Sequence, residues 1–542
     1  MRSQTDVLIA GGGPVGLALA LDLSSRGIRS ILVEQSDGSP RHPKVGHVSV
    51  RTMEHIRRWG LVERLRHCGF PPDYALRMVY CTSMNGYTLC VHEYPSMRDA
   101  PTPPETPEKK QRCPQLWFDP ILADAIRGYS NCRLEHLAEL RTFRVTREGV
   151  IASVEAQNGP AEIRARYMAA CDGANSSIRE RLGIRMQGNP NLSRSVAIYF
   201  RAPGLLAGTT QGQGERYTFV GPEGTWGNLT VVDGSELWRL TVFGSHDRID
   251  LDTFDAAGWV RRCLANDRVS FEILSILPWR RTELVAERYS EGPVFLVGDA
   301  AHTMSPTGGF GMNTGIGDAV DLAWKLQGAL AGWAGAKLLA SYSDERRPIG
   351  ERNARFSATN FYNLVADTDR SAILDEGEKG GAARQKIGTA MKAATLAEYE
   401  SLGVILGYRY DHSPICISDG SQPPPDPPDR YVPTSRPGAR SPHVWLEDGT
   451  SILDRFGREF TLASFGALDT SRFSSAAKER GLPFRTLAIQ NDAAAAAYER
   501  RLVLVRPDGH VAWRGDELPA DPGFILDVVR GADPNSRSLA SV

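Results

Sequence analysis

The stretch DVLIAGGGPVGLALALDLSSRGIRSILVEQ, residues 6–35, decides the fold. Asp6 to Ile9 reads as a short buried strand, Leu17 to Ser24 as a helix and Ser30 to Val33 as the next strand. Gly11, Gly13 and Gly16 stand in the turn between strand and helix, in the order a dinucleotide turn needs. The first bends the chain, the second lets a pyrophosphate reach the backbone, and the third lets the helix pack closely. Pro14 and Val15 open that helix, whose N-terminus carries partial positive charge. Glu34 ends the second strand, 21 positions beyond Gly13, with Gln35 beside it. A carboxylate there can accept hydrogen bonds from an adenosine ribose and would repel a 2′-phosphate, so the turn favours FAD or NAD over NADP.

Outward from this unit, apolar runs recur at Tyr167–Cys171 and Val294–Val297, each entering a turn that holds glycine and aspartate. Short buried strands alternating with helices predict an α/β unit with a largely parallel sheet, built from separated stretches of chain. Ser195 to Phe243 has another texture: VAIYF, RYTFV, WGNLTVV and LWRLTVF are strand-like and divided by Gly and Asp turns, which predicts a second, mainly antiparallel sheet. A helix is expected over Asp318–Gly328 and further helices from Leu338 to about Tyr399. Residues 418–438 hold too much proline for a regular element and read as a linker over the surface. In the last hundred residues, strands at Thr461–Leu462, Thr486–Ile489 and Leu502–Val505 alternate with helices, and PDGHVAWRG at 507–515 reads as a tight hairpin.

Two further motifs follow strands: DGANSSIR, beginning with Asp172, and VFLVGDAAHTMSPTGGFGMNTGIGDAVDLAWKL, residues 294–326, which contains Asp299. With the glycine turn, these resemble the class A FAD-dependent aromatic hydroxylases, the phenol hydroxylase and para-hydroxybenzoate hydroxylase type. The resemblance implies an α/β architecture: a discontinuous Rossmann-like FAD-binding domain over 1–75, 105–185 and 280–415, with an inserted, mainly antiparallel substrate-binding domain over 76–104 and 186–279. A linker at 416–439 would lead to a thioredoxin-like domain over 440–542, which contains no cysteine and so cannot exchange disulfides.

By the same resemblance, Glu34 would hold the FAD ribose and Asp299 the ribityl chain, while Gly309, Gly311, Met312 and Asn313 would run beside the isoalloxazine. Gln115 matches a family glutamine near that ring, and a helix-cap role is its plainer reading. Lys44 replaces a family arginine after His-Pro and keeps a point charge without the planar fork. Arg51 can approach the cofactor, support its own segment or face solvent. Asp172 can fix a turn near the pyrophosphate or pair with Arg179. Pro306 would lie at the flavin edge, holding its loop without offering an N–H. His302 reads as flavin-binding scaffold more than as a base, and YSDERRP at 342–348 as structural support.

The implied chemistry is hydroxylation of a phenolic or hydroxyheteroaromatic ring through an FAD C4a-hydroperoxide. NADH or NADPH would be the transient reductant and O2 the co-substrate. Arg216 and Thr218 point to one face of their strand and Tyr217 and Phe219 to the other. Tyr217 is a candidate to assist phenol deprotonation, and Arg216 or Arg239 to steady a phenolate; no unique base is evident. Competing readings are an epoxidase or Baeyer–Villiger-type oxygenase, and a noncatalytic flavin or metabolite-binding protein.

Composition narrows the field. The chain has 542 residues, 63 basic and 64 acidic, with a net charge of −1. That balance offers no footprint for nucleic acid. No apolar run reaches membrane-spanning length, and the N-terminus lacks signal-peptide order, so a cytoplasmic protein is expected. Eight scattered cysteines without C-x-x-C argue against a metal or thiol redox centre. A small aromatic molecule is the expected partner, and a homodimer is compatible with the resemblance.

Overall fold

The computed structural model describes residues 2–40, 42, 46–244, 249–366 and 369–533. The first strand, Arg2–Ala10, lies at the middle of an eight-stranded sheet. It pairs in parallel with Ser30–Glu34 on one side and Gly159–Ala170 on the other. Cys132–His136 extends the parallel order beyond Ser30–Glu34, and Val294–Leu296 beyond Met168–Ala170. Val7, Leu8 and Ile9 are fully buried, because helices cover the sheet and leave these side chains no wet face. The helices Pro14–Ser25 and Phe310–Ala331 pack on each other over it. Ala138–Thr146 and Gly149–Ala156 form an antiparallel ribbon on the same sheet.

The second sheet also has eight strands and is antiparallel except where Arg216–Gly221 runs parallel to Met78–Cys81. Its longest strands, Met186–Arg201 and Glu272–Ala286, pair along nearly their whole length. The second of these crosses residues 279 and 280, where the sequence reading divides two domains. Thr88–His92 closes one edge of the sheet, and His302–Thr303, arriving from the first sheet's aspartate turn, closes the other. The two sheets are therefore joined through the turn that carries Asp299.

The helix expected from Asp318 begins earlier, at Phe310. Gly309, at φ +70°, turns the chain into it, so Gly311, Met312 and Asn313 form its first turn rather than a loop. Helices Ala336–Val365 and Gly377–Tyr399 follow. The proline-rich stretch has no regular element, as expected, yet Tyr431, Thr434 and Ser435 within it are buried. Residues 418–430 run over the surface as expected, and the chain turns inward only from Tyr431.

The C-terminal α/β subdomain has a four-stranded sheet. Phe460–Ser464 pairs in parallel with Phe484–Ala488 and antiparallel with Leu502–Val505, which pairs antiparallel with Val511–Gly515. Its Phe460, Leu462 and Leu504 pack against Trp324, Trp333 and Leu338 of the larger body. Beside this apolar seam lies a buried ionic one. Arg506 meets Glu345 at 2.5 Å, Asp508 at 2.6 Å and Asp321 at 3.2 Å, and Lys325 meets Asp321 at 2.7 Å and Glu345 at 2.6 Å. Arg440 reaches across to Glu54, which also binds Arg51 at 2.8 Å. No helix among the described residues is long and apolar enough to cross a membrane.

Arg506→Met would leave three buried carboxylates facing one lysine. Breaking a buried ion pair from one side costs about 3–5 kcal/mol, so the denaturant midpoint should fall markedly while an exposed-pair variant, Arg262→Met, stays near wild type. A second test concerns pH. Burial, reinforced by Arg51 and Arg506, outweighs Asp508 and depresses the His510 imidazole to about 4. The folded state thus favours neutral His510, and its contribution is complete above the unfolded value of about 6.5 and lost as pH falls towards 4. His510→Gln should therefore lose less stability than wild type between pH 6.5 and 4 in denaturant titrations.

Candidate functional site

The glycine turn is shaped by contacts only glycine allows. At Gly11, φ +111°, a Cβ would lie 2.3 Å from the Cys171 carbonyl oxygen, and at Gly16 it would lie 2.0 Å from that of Gly11. A Cβ at Gly13 would meet nothing within 4 Å. Gly13, Pro14, Val15 and Gly16 line a large cavity, with the N-terminus of the Pro14–Ser25 helix turned towards it. Gly11 sits behind them. Glu34 ties down the same turn, accepting the Gly12 N–H at 2.6 Å and the Ser36 N–H at 2.8 Å. Neither Glu34 nor the exposed Gln35 lines the cavity wall.

Across from this turn, Asp299 lines the cavity, followed by Thr303 to Gly309. Their position depends on Asp318. Its carboxylate accepts the Gly298 N–H at 3.2 Å and contacts His302 Nε2 at 2.8 Å, and it accepts Arg346 Nε at 2.8 Å. Burial disfavours its charge, but Arg346 and His302 outweigh burial and hold the carboxyl below the usual range. His302 is fully buried and committed to this brace. Arg346 continues to Tyr410 Oη and the Thr314 carbonyl, and Tyr342 donates to the Leu296 carbonyl, which makes YSDERRP a structural lattice.

The third wall is one face of the second sheet. Ser195, Ala197 and Tyr199 face the cavity, whereas Val196, Ile198 and Phe200 are fully buried behind it, the alternation a pleated strand imposes. Arg239 and Thr241 on the neighbouring strand, and Asn228 and Thr230 on the next, continue the polar face. The cavity measures about 1850 Å³, against roughly 300–1,000 Å³ for a site holding one drug-sized molecule.

Residues 4–357 match the FAD binding domain family, and residues 434–527 match the aromatic-ring hydroxylase C-terminal family. The 4-methyl-5-nitrocatechol 5-monooxygenase of a Burkholderia species is 32% identical over 559 residues, covering 96% of each chain. The rebeccamycin biosynthetic enzyme RebC, solved with reduced flavin, is 39% identical with a TM-score of 0.92, covering 98% of this chain and 100% of that one. Aklavinone-11 hydroxylase, solved with FAD and aklavinone, is 28% identical with a TM-score of 0.81, covering 97% and 98%. The chain belongs to the FAD-dependent aromatic-ring hydroxylases.

As a member of that family it is a flavoprotein monooxygenase acting on aromatic substrates, and its turn fits FAD. The open space at Gly13, the helix N-terminus and Asp299 opposite form a cradle for a pyrophosphate and a polyol. Gln115, Pro306, Gly309, Gly311 and Met312 line the same cavity. Gln115 follows the Pro114 N-cap and donates to Asp119 at 2.9 Å, so it is not itself the cap.

Several expected contacts fall elsewhere. Arg51 is buried away from the cavity, bound to Glu54 and donating to the Asp508 carbonyl at 3.0 Å. It pins the C-terminal subdomain, and the cofactor contact is not supported. The Asn313 side chain donates to the carbonyls of His47 and Gly309 and accepts from Ser49 and Thr52, which exhausts it as a brace. Asp172 accepts the Ile178 N–H at 3.2 Å, while Arg179 donates to the carbonyls of Ala174 and Ala300 instead of forming the expected pair. Burial raises the Asp172 carboxyl. Lys44 lies outside the described residues.

Tyr217 is the clearest correction. It is fully buried on the far face of its strand, donating to the Gly212 carbonyl at 2.5 Å, and burial pushes its phenol up. It cannot reach substrate. Arg216 lines the cavity but is paired with Glu398 at 2.7 Å and with Tyr399. Arg239 also lines it, and no hydrogen bond or ion pair holds it among the described residues; burial, reinforced by Arg112, pushes it down to about 10.

The sequence reading missed Arg281, Glu398 and Tyr399. Arg281 lines the cavity at 3.0 Å from Ser305 Oγ. Glu398 and Tyr399 come from the end of the Gly377–Tyr399 helix, far along the chain from any motif.

Gly13→Val and Gly16→Ala should separate folding from cofactor retention. Valine at 13 projects into open space, so flavin binding should weaken roughly tenfold or more, about 1.4 kcal/mol, with an unchanged apoprotein unfolding midpoint. Alanine at 16 should lower both. Flavin absorbance per protein and thermal unfolding of the apoprotein provide the two readouts.

Proposed function

We propose that this hydroxylase inserts one oxygen atom into a polycyclic ring bearing a hydroxyl or N–H group, with NADH or NADPH as the transient reductant. The observation that carries the reading is the size of the cavity. Giving FAD roughly 1,000 Å³, the upper end for one ligand, leaves nearly half of about 1850 Å³, more than a single ring fills. Aklavinone-11 hydroxylase, solved with aklavinone, points the same way, whereas the 4-methyl-5-nitrocatechol monooxygenase is named for a single ring.

Bound FAD supplies the redox chemistry, accepting hydride and activating O2. The chain does the rest. Gly13, Val15 and Gly16 would receive the pyrophosphate at the helix N-terminus, Glu34 would fix the turn on the adenosine side, and Asp299 would accept from the ribityl hydroxyls. Pro306 shapes the reacting end of the cavity without a competing N–H. Arg239 receives the negative charge that builds on the ring oxygen, because a buried guanidinium without a carboxylate is available for a ligand anion. Val196, Ile198 and Phe200 stiffen the wall from behind and keep bulk water out.

The chain would divide into a discontinuous FAD-binding domain over 1–75, 105–185 and 280–415 and an inserted substrate-binding domain over 76–104 and 186–279, which share the strand Glu272–Ala286, followed by a linker at 416–439 and a C-terminal domain over 440–542. The C-terminal subdomain is read as thioredoxin-like. A parallel strand–helix–strand unit, an antiparallel hairpin and a last helix, in the strand order two-one-three-four, support that assignment. Its role is packing or dimer assembly, since it has no cysteine.

Incubation of the holoenzyme with NADH or NADPH and a panel of polycyclic and single-ring phenols, read by oxygen uptake and product mass, tests the reading. Polycyclic phenols should gain one oxygen, and Arg239→Met should raise KM about ten- to hundredfold, following loss of a charged hydrogen bond of roughly 1.5–3 kcal/mol. Turnover confined to single rings would overturn it.

A further inference from the structure

Glu398 is buried on the cavity wall, its side chain 2% exposed. One carboxylate oxygen, Oε1, is occupied: it accepts Arg216 Nη1 at 2.7 Å and the Gly308 N–H at 3.2 Å. The other, Oε2, is buried and has no hydrogen-bond partner among the described residues. A buried carboxylate oxygen without a donor is costly, and here the group borders the cavity of about 1850 Å³. Arg216 is itself anchored on Tyr399, whose hydroxyl lies 2.8 Å from that of Tyr80. The carboxylate is thus anchored through Oε1, and Oε2 is the oxygen left without a partner.

Gly308 belongs to the segment that follows Pro306 and precedes the first turn of the Phe310–Ala331 helix. Its N–H fixes Glu398 relative to the loop placed at the flavin edge. The helix Gly377–Tyr399 therefore sets an acceptor on the cavity wall, fixed relative to the loop that follows Pro306.

We infer that Glu398 is the substrate-facing acceptor of this enzyme, with Oε2 receiving an O–H or N–H carried by the ring. The inference rests on the proposed function and narrows its substrate to rings that donate at this point. For a phenol, the hydrogen bond draws the proton towards Oε2 and leaves electron density on the ring oxygen and on the carbons ortho and para to it. If transfer is completed, the O–H bond breaks, the proton resides on Oε2 and the electron pair stays on the ring. Arg216 and Gly308 are positioning groups, since they act through Glu398.

The test compares two probes, 2-hydroxyanthraquinone and 2-methoxyanthraquinone, binding to the oxidised holoenzyme without nicotinamide, followed by quenching of protein fluorescence. Wild type should prefer the hydroxyl probe by about tenfold or more, the cost of leaving a buried acceptor unpaired. Glu398→Gln places an amide N–H where Oε2 stood and should abolish or reverse that preference. A structural role alone would weaken both probes alike and leave the ratio unchanged. Glu398→Met, which can neither accept nor donate, gives a second measure should the glutamine variant retain too little flavin. An unchanged ratio in both variants, or no preference in wild type, overturns the assignment to Glu398 alone. Failure of wild type to bind either probe overturns this assignment together with the polycyclic reading beneath it.

Discussion

A single buried carboxylate, Asp318, sets the position of the Asp299 turn and of the strand that leads into the Pro306 loop. Its oxygens are shared among the Gly298 N–H, His302 and Arg346, so it joins the aspartate turn, the short strand after it and two long helices. A carboxylate taken out of water loses several kcal/mol of solvation, which only well-placed partners offset. That requirement works as a geometric lock. Moving the Asp299 turn, the Pro306 loop or the Ala336–Val365 helix separately would strand one of the charges. The same logic recurs where Arg506 and Lys325 hold Asp321 and Glu345 across the C-terminal seam.

The dinucleotide turn was legible because its chemistry is local. Gly11 and Gly16 each answer to a backbone neighbour within a few residues or one strand away, while Gly13 keeps open the space beside the helix N-terminus, in keeping with the roles read from their order. Asp299 and Pro306 were legible for a similar reason, as fixed steps after a strand. The start of the following helix was misjudged because Gly311 and Gly315 lower helix propensity, while tertiary packing on Val15 and Gly298 favours small residues there.

Elsewhere the pattern was readable and its meaning was not. Period-two alternation separated Arg216 from Tyr217, but it carries no information about which face meets a cavity and which meets a core. Tyr217 went to the core because Tyr74 and Trp238 wait there, and its hydroxyl found the Gly212 carbonyl. The structural partners of the Arg51 and Asn313 side chains were hidden for a related reason: Glu54, Asp508, His47 and Thr52 lie in segments whose approach only the tertiary fold determines. Glu398 had no local signal at all, sitting at the end of a polar helix with nothing in its spacing to mark a site.

The cavity's polarity follows from which charges the protein leaves incomplete. Glu215 is matched by Arg112 at 2.5 Å, and Arg216 by Glu398. Among the described residues Arg239 has no acidic partner and Arg281 donates only to the hydroxyls of Ser193 and Ser305, with burial pushing Arg281 down to about 9. Phe243, Trp279 and Phe361 stack around Arg281 and offset part of its desolvation. Two incompletely paired cations on this wall, with a half-used carboxylate beside the loop, describe a surface complementary to an aromatic ring that donates at one point and gathers negative charge at another. A neutral hydrocarbon would leave each of these groups unanswered at a cost in binding, so the wall rejects it by the same charges that would hold a phenol.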